Sequence, residues 1–327
     1  MDNHYELEST VLNPNEKINI LHISDLQFGD MGYSKEFVFL EKLIPKYLNQ
    51  ISIKINLIVV SGDIVYSGIP SEYELAEKWF NTFCTEILGV NFKSRLLLIP
   101  GNHDVNLRLN AADKYNYDFK SKKLVELENS VSKEHHFYGL TPFREFAFKM
   151  TDNPMWMTNQ NNLCFVNDRF HNWGLRFYHF NSVIEQCYDE PDKAGIPEQN
   201  LNQMMNAPKI EDNIFQIIIS HHGPENFGYK TSETSDKRWL NIRNFIACVG
   251  PQLFLHGHTH GFETYHTREK GQETKTINYH MTSTLSLEKQ LRMKDALRGF
   301  SVIELERENG FIKKDSYKIR NFEIEEE

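Results

Sequence analysis

Short apolar runs alternate with amphipathic stretches through the first third of the chain. Ile18-Asn19-Ile20-Leu21-His22-Ile23 has the length of a buried strand and runs into the polar pair Ser24-Asp25. Apolar residues Phe37, Leu40, Ile44 and Leu48 then recur with helical period, interrupted by Pro45, which can kink a helix. Leu57-Ile58-Val59-Val60 is a second strand-sized run, closed by the turn sequence Ser61-Gly62-Asp63. Pro70 suits the first turn of a helix that carries Ala76, Trp79, Phe80, Phe83 and Ile87 on one core-packing stripe. Leu96-Leu97-Leu98-Ile99 predicts a third strand, stopped by Pro100-Gly101. This strand–helix alternation points to an α/β layered fold with parallel neighbours.

Between 105 and about 172 the pattern loosens into polar and aromatic sequence, with a helix expected near 123–132 and a loop around Met155-Trp156-Met157. We read 105–172 as a partly helical insertion or cap within a single domain spanning 1–327. Trp156, Tyr115, Tyr117 and Tyr138 are candidates to stack a base, although packing the insertion onto the body is the commoner use of such residues. Strand-like segments return at 174–180, 215–220 and 253–256, followed by alternating segments at 274–279 and 300–305. Late antiparallel strands after early parallel units imply two packed sheets with helices outside.

Composition narrows the class. A chain of 327 residues can bury a sizeable core without disulfides. With 40% hydrophobic and 25% charged residues it is an ordinary globular protein, not a disordered, collagen-like or coiled-coil one. A net charge of −9 argues against a nonspecific nucleic-acid coat, leaving a local basic groove open. Cys84, Cys164, Cys187 and Cys248 are scattered and form no CxxC pair, which reads as free thiols in a reducing compartment. The first residues carry neither a basic nor an apolar segment, and the longest apolar runs are strand-sized. The expectation is a cytoplasmic protein that does not contact a membrane. The acidic 323–327 reads as a solvated tail, and His135-His136 as solvent-facing.

The 14 histidines change the picture, because several fall where strands end. Ser24-Asp25-Leu26-Gln27, Gly62-Asp63, Gly101-Asn102-His103-Asp104, His221-His222-Gly223-Pro224 and Gly257-His258-Thr259-His260 all sit at such junctions. In open α/β sheets the ligand crevice lies outside the carboxyl ends of the strands, where these motifs would converge. Together they offer carboxylates, amides and imidazoles, a donor set for borderline divalent metals. His22, inside the first strand, reads as a packed or supporting residue, and Asn181-Ser182 ends a later strand.

The ordered set resembles the signature of the calcineurin-like metallophosphoesterases: an Asp-x-His, a Gly-Asp, a Gly-Asn-His-Asp/Glu, a later His and a Gly-His-x-His. All five elements occur in order over roughly residues 18–306, with one substitution. The resemblance implies a four-layer αββα sandwich of two mixed sheets flanked by helices, with an insertion covering the metal cleft. It also implies two divalent metal ions bridged by Asp63, Mn2+ first, with Mg2+, Fe, Ni2+ or Zn2+ as alternatives. Asp25 and His260 would complete one site with the group at position 27; Asn102, His221 and His258 would complete the other. His103 matches the family's acid or transition-state stabiliser, the alternative being a turn residue, and Asp104 matches the carboxylate that orients it. His222 is either a phosphate contact or merely a neighbour.

Elementary chemistry agrees with those roles. A carboxylate can bridge two ions about 3.5–4 Å apart, and paired cations lower the pKa of water and offset charge on phosphoryl oxygens. A histidine held by a carboxylate is a reasonable proton donor to an alkoxide. The substitution is Gln27, where the family usually has His. Its carbonyl oxygen is a neutral hard donor, so it either ligates a hard ion or hydrogen-bonds a water ligand. The implied activity is hydrolysis of a phosphoester by a metal-bridging hydroxide, first as a phosphodiesterase on a nucleotide or nucleic-acid-type substrate. The alternatives are a phosphomonoesterase, or a metal-binding regulatory or scaffold protein with little turnover because of Gln27. A protein partner or dimer stays open.

Overall fold

The computed structural model describes residues 12–29, 34–109, 115–118, 123–126, 139–158, 163–184, 186, 194–208, 213–228, 237–269, 275–285 and 298–324. The early apolar runs form strands β1 (Ile18–Ile23), β2 (Leu57–Ser61) and β3 (Leu96–Ile99), parallel to one another. Two late strands, β12 (Gly299–Glu308) and β13 (Phe311–Glu323), extend that sheet antiparallel, giving the order β13-β12-β1-β2-β3. The second sheet holds β6 (Phe165–Asn167), β7 (Leu175–Phe180), β8 (Phe215–Ser220), β9 (Leu253–His256), β10 (Glu263–Glu269) and β11 (Lys275–Met281), in the order β10-β11-β9-β8-β7-β6. In it β7, β8, β9 and β11 run parallel, while β6 and β10 are antiparallel edges.

The period-two alternation of the strands sorts their side chains into layers. Ile18, Ile20, Leu57, Val59, Leu97 and Ile99 meet Leu175, Phe177, Phe215, Ile217, Ile219, Leu253 and Leu255 between the sheets. The opposite faces, among them Leu21, Ile23, Ile58, Val60, Leu96 and Leu98, pack under α1 (Ser34–Gln50) and α2 (Pro70–Leu88). Tyr178, Phe180, Ile218 and Phe254 pack under α5 (Glu198–Met205) and α6 (Lys237–Val249). The result is helix, sheet, sheet, helix, as expected. Pro45 lies inside α1, which continues to Gln50 because Ile44 and Leu48 still face the core.

The expected helix near 123–132 is corrected where it is described: β5 (Lys123–Glu126) is a strand paired antiparallel with β4 (Tyr115–Asp118). Residues 127–132 lie outside the described residues, as do His135, His136, Tyr138 and Cys187. The loop expected around Met155-Trp156-Met157 is a short helix, α4 (Met155–Thr158). With α3 (Thr141–Thr151) it joins the core of the first sheet through Phe143, Phe146, Met150 and Trp156. Trp156 is buried against Phe143 and Phe165, so it packs and cannot stack a base. Cys84 and Cys164 are buried free thiols and Cys248 is exposed. Among the described residues no helix is long and apolar enough to cross a membrane.

Candidate metal centre

The loops after β1, β2, β3, β8 and β9 meet at one edge of the sandwich and bring all the motif residues into one cleft. Backbone hydrogen bonds fasten two of them: Asp25 N–H donates to Gly62 O (3.1 Å) and Gln27 N–H to Asp63 O (2.9 Å). Nine non-glycine residues among those described have positive φ, and five are Asp25, Gln27, Asp63, His258 and His260. Left-handed backbone is costly for side-chain-bearing residues and concentrates where function over-determines it. Gly62, at φ +95°, is required: a Cβ there would lie 2.5 Å from His221 Nδ1 and 2.8 Å from Gly101 N.

His221 Nδ1 lies 2.8 Å from the Ser61 carbonyl, which only accepts, so Nδ1 carries a proton and Nε2 is the nitrogen turned toward the other donors. That Nε2 lies 2.8 Å from Asn102 Oδ1 and 3.2 Å from His258 Nδ1, and His258 Nδ1 is 3.2 Å from Asn102 Oδ1. Asp63 Oδ1 is 3.4 Å from the same His221 Nε2. These are the separations of adjacent ligands around one ion held at about 2.1 Å. A cation among these atoms would satisfy the amide oxygen, the carboxylate and both imidazoles together, so the donor set fits a divalent metal. His260 Nε2 is 3.3 Å from Asp25 Oδ1, and His258 N–H donates to Asp25 Oδ2 (3.2 Å); ligand atoms of Asp25, Asp63 and His221 lie within 4.8 Å of one another. Gln27 is buried beside them.

Electrostatics prepares these groups. Burial would raise the Asp25 carboxyl, but His260 outweighs it and holds the carboxyl well below the usual range. Burial, with His221 adding, pushes His258 down to about 4, leaving the neutral imidazole that ligates metals. Burial pulls His103 down as well, but Asp63 and the Tyr66 carbonyl prevail, and its pKa is raised. The His103 side chain is 35% exposed at the mouth of the cleft, its Nε2 4.0 Å from Asp63 Oδ2.

The expected role of Asp104 is corrected. His103 Nδ1 donates to Tyr66 O at 2.8 Å, and its ring stacks on Tyr66 with centroids 5.4 Å apart. The buried Asp104 carboxylate instead accepts from the N–H groups of Gly101 (2.8 Å), Ile64 (3.1 Å) and Val65 (3.1 Å) and from Tyr73 OH (3.1 Å). It ties the Asn102 loop to the Asp63 loop, and burial with Asp63 pushes it up to about 7. His222 is fully buried, with Nδ1 2.9 Å from Ser182 Oγ. Sequence reading missed Tyr66, Tyr73 and Ser61, two of which act through backbone carbonyls that leave no sequence signal. His22 does prove a supporting residue, its Nε2 2.8 Å from Ser61 Oγ.

Residues 18–262 match the family model of the calcineurin-like phosphoesterases. The chain belongs to that family. Membership implies a phosphoester hydrolase that uses divalent metal ions. Among curated relatives of this calcineurin-like phosphoesterase is the glycerophosphodiester phosphodiesterase GpdQ of Enterobacter lignolyticus (strain SCF1), 36% identical over 90 residues. That match takes in 26% of this chain and 29% of the relative. A dimetal phosphatase from Danio rerio has a similar fold, with a TM-score of 0.51 at 10% identity, over 92% of this chain and 98% of that one.

Proposed function

We propose that this calcineurin-like phosphoesterase is a phosphodiesterase with a two-metal centre, acting on a nucleotide or nucleic-acid-type ester. The observation that carries this reading is the convergence of Asn102 Oδ1, His221 Nε2 and His258 Nδ1 within 2.8–3.2 Å of one another, beside Asp63 and near the Asp25–His260 pair. In this reading Asp63 would be shared: one ion would be held by Asn102, His221 and His258, the other by Asp25, His260 and Gln27. Bound divalent ions supply Lewis acidity, which activates water near neutral pH and offsets charge on the phosphoryl oxygens. The curated glycerophosphodiesterase relative favours a diester over a monoester.

The chain's own residues account for the remaining demands. His103, whose pKa is raised by Asp63 and the Tyr66 carbonyl and whose ring is aimed by Tyr66 O, would donate a proton from Nε2 to the departing alkoxide. Asp63 Oδ1 accepts His103 N–H at 2.9 Å, so one carboxylate fixes both the acid's backbone and the centre between the donor groups. Asp104 keeps the two loops in register. The test compares a bis-aryl phosphodiester with an aryl phosphomonoester, Mn2+ added, then a panel of nucleotide, nucleic-acid and glycerol diesters. Preferential diester hydrolysis is expected. Faster monoester hydrolysis would make it a phosphatase, and neither activity with metal bound would make it a scaffold.

A further inference from the structure

Beside the four donors assigned to one ion lies a fifth group that the motifs leave unexplained. His222 follows His221 at the end of β8, and its ring is 0% exposed. Nδ1 is 2.9 Å from Ser182 Oγ, and the same oxygen accepts His222 N–H at 3.3 Å. Nε2 is buried with no hydrogen-bond partner, a costly condition for an imidazole nitrogen. Ring nitrogens of His221, His222 and His258 all lie within 4.8 Å of one another, and the His222 ring centroid is 4.4 Å from that of His258. Ligands opposite each other on one ion are about 4.2 Å apart and adjacent ones about 3 Å, given bonds of about 2.1 Å. The three imidazoles are therefore near enough to share one ion.

We infer that His222 is itself a ligand, through the Nε2 that has no other partner, of the ion held by Asn102, His221 and His258, with Ser182 Oγ holding the ring at Nδ1. A phosphate contact fits less well: the ring offers no surface to the cleft, whereas the exposed imidazole there is His103. The two sites then differ in chemistry. One has three imidazoles, the Asn102 amide oxygen and Asp63; the other has Asp25, Asp63, His260 and the Gln27 oxygen. Nitrogen-rich donors hold borderline ions such as Zn2+ or Co2+ more tightly than oxygen-rich ones, which suit Mn2+ or Mg2+. The nitrogen-rich site fills first.

This inference rests on the two-metal reading, and the experiment separates the two. Metal-stripped protein is titrated with Zn2+ by calorimetry for the parent, His222→Ala, Ser182→Ala and His260→Ala. Nitrogen-15 NMR of the histidine-labelled parent follows each imidazole at one equivalent of Zn2+. We expect two binding events in the parent, the tight one weakened roughly tenfold or more by His222→Ala and less by Ser182→Ala. His260→Ala should weaken only the other event. The His222 Nε2 resonance should move to the position of a coordinated nitrogen at the first equivalent, a readout that does not depend on how the variants fold. An unmoved resonance, or equal tight-site affinity in His222→Ala, overturns the inference; lost phosphate inhibition in that variant with metal binding intact would restore the phosphate contact. A parent that binds no Zn2+ overturns the two-metal reading itself.

Discussion

The space between the two sheets is apolar at one end and polar at the other, although the same strand faces line both. Ile18, Ile20, Leu57, Val59, Phe215, Ile217 and Ile219 fill the first part. Two residues further along the same faces stand His22, Ser61 and His221, with His179, His280 and Ser301 around them, all buried. The apolar end is filled by hydrocarbon side chains. The polar end keeps buried atoms without a hydrogen-bond partner, including His22 Nδ1, His222 Nε2 and His280 Nε2. Unpaired buried groups cost stability. The first region makes the fold stable, and the second spends some of that stability to hold donors ready for cations.

Four substitutions or conditions break or sharpen that contrast. The largest effect should come from Asp63→Asn, which removes the carboxylate shared by both donor groups. Diester turnover should fall by about 10³ or more, the scale seen when a preorganised electrostatic group is lost. The melting temperature of the metal-free variant should not fall. At the apolar end, Ile217→Ala should do the reverse: a loss of about 2–5 kcal/mol in chemical denaturation, with unchanged metal stoichiometry.

Acid comes next. Burial, with Arg169 adding, pushes His179 down to about 3, and burial, with His256 adding, does the same to His280. Both are neutral when folded, so an unfolded chain binds more protons below its ordinary pKa of about 6.5. Their contribution is present above that pH and is lost as pH falls toward about 3, at up to about 1.4 kcal/mol per pH unit for each group. The midpoint of denaturation should drop between pH 7 and 5, and His179→Gln should flatten the slope. An unchanged slope would mean His179 titrates normally. The smallest effect is expected from Gln27→His, which should tighten the Asp25–His260 site by about tenfold for borderline metals. Equal affinity in both forms would place Gln27 outside the coordination sphere.

Much of this contrast was legible in the sequence. The runs 18–23, 57–60 and 96–99 and the helical stripes through Leu40 and Phe80 gave their elements because period and length agree with burial on a defined face. The motifs placed Asp25, Asp63, Asn102, His221, His258 and His260 in one cleft because parallel strands end on the same side. Strand β13 was missed because Lys313-Lys314-Asp315-Ser316 interrupts its alternation at the sheet edge. Residues 123–126 misled because their composition suits a helix and only pairing with 115–118 decides otherwise. The His103 partner was misassigned to Asp104 because the competing acceptor, the Tyr66 carbonyl, belongs to a backbone that every residue shares. The burial of His222 was invisible for a similar reason: it depends on Ser182, 40 residues away.

The most direct test strips the protein of metal and adds Mn2+ back while hydrolysis of a bis-aryl phosphodiester and the number of bound ions are measured together. The account predicts no hydrolysis without metal and full activity only when two ions are bound. Hydrolysis that persists in the metal-free protein, or that saturates with one ion bound, would contradict it.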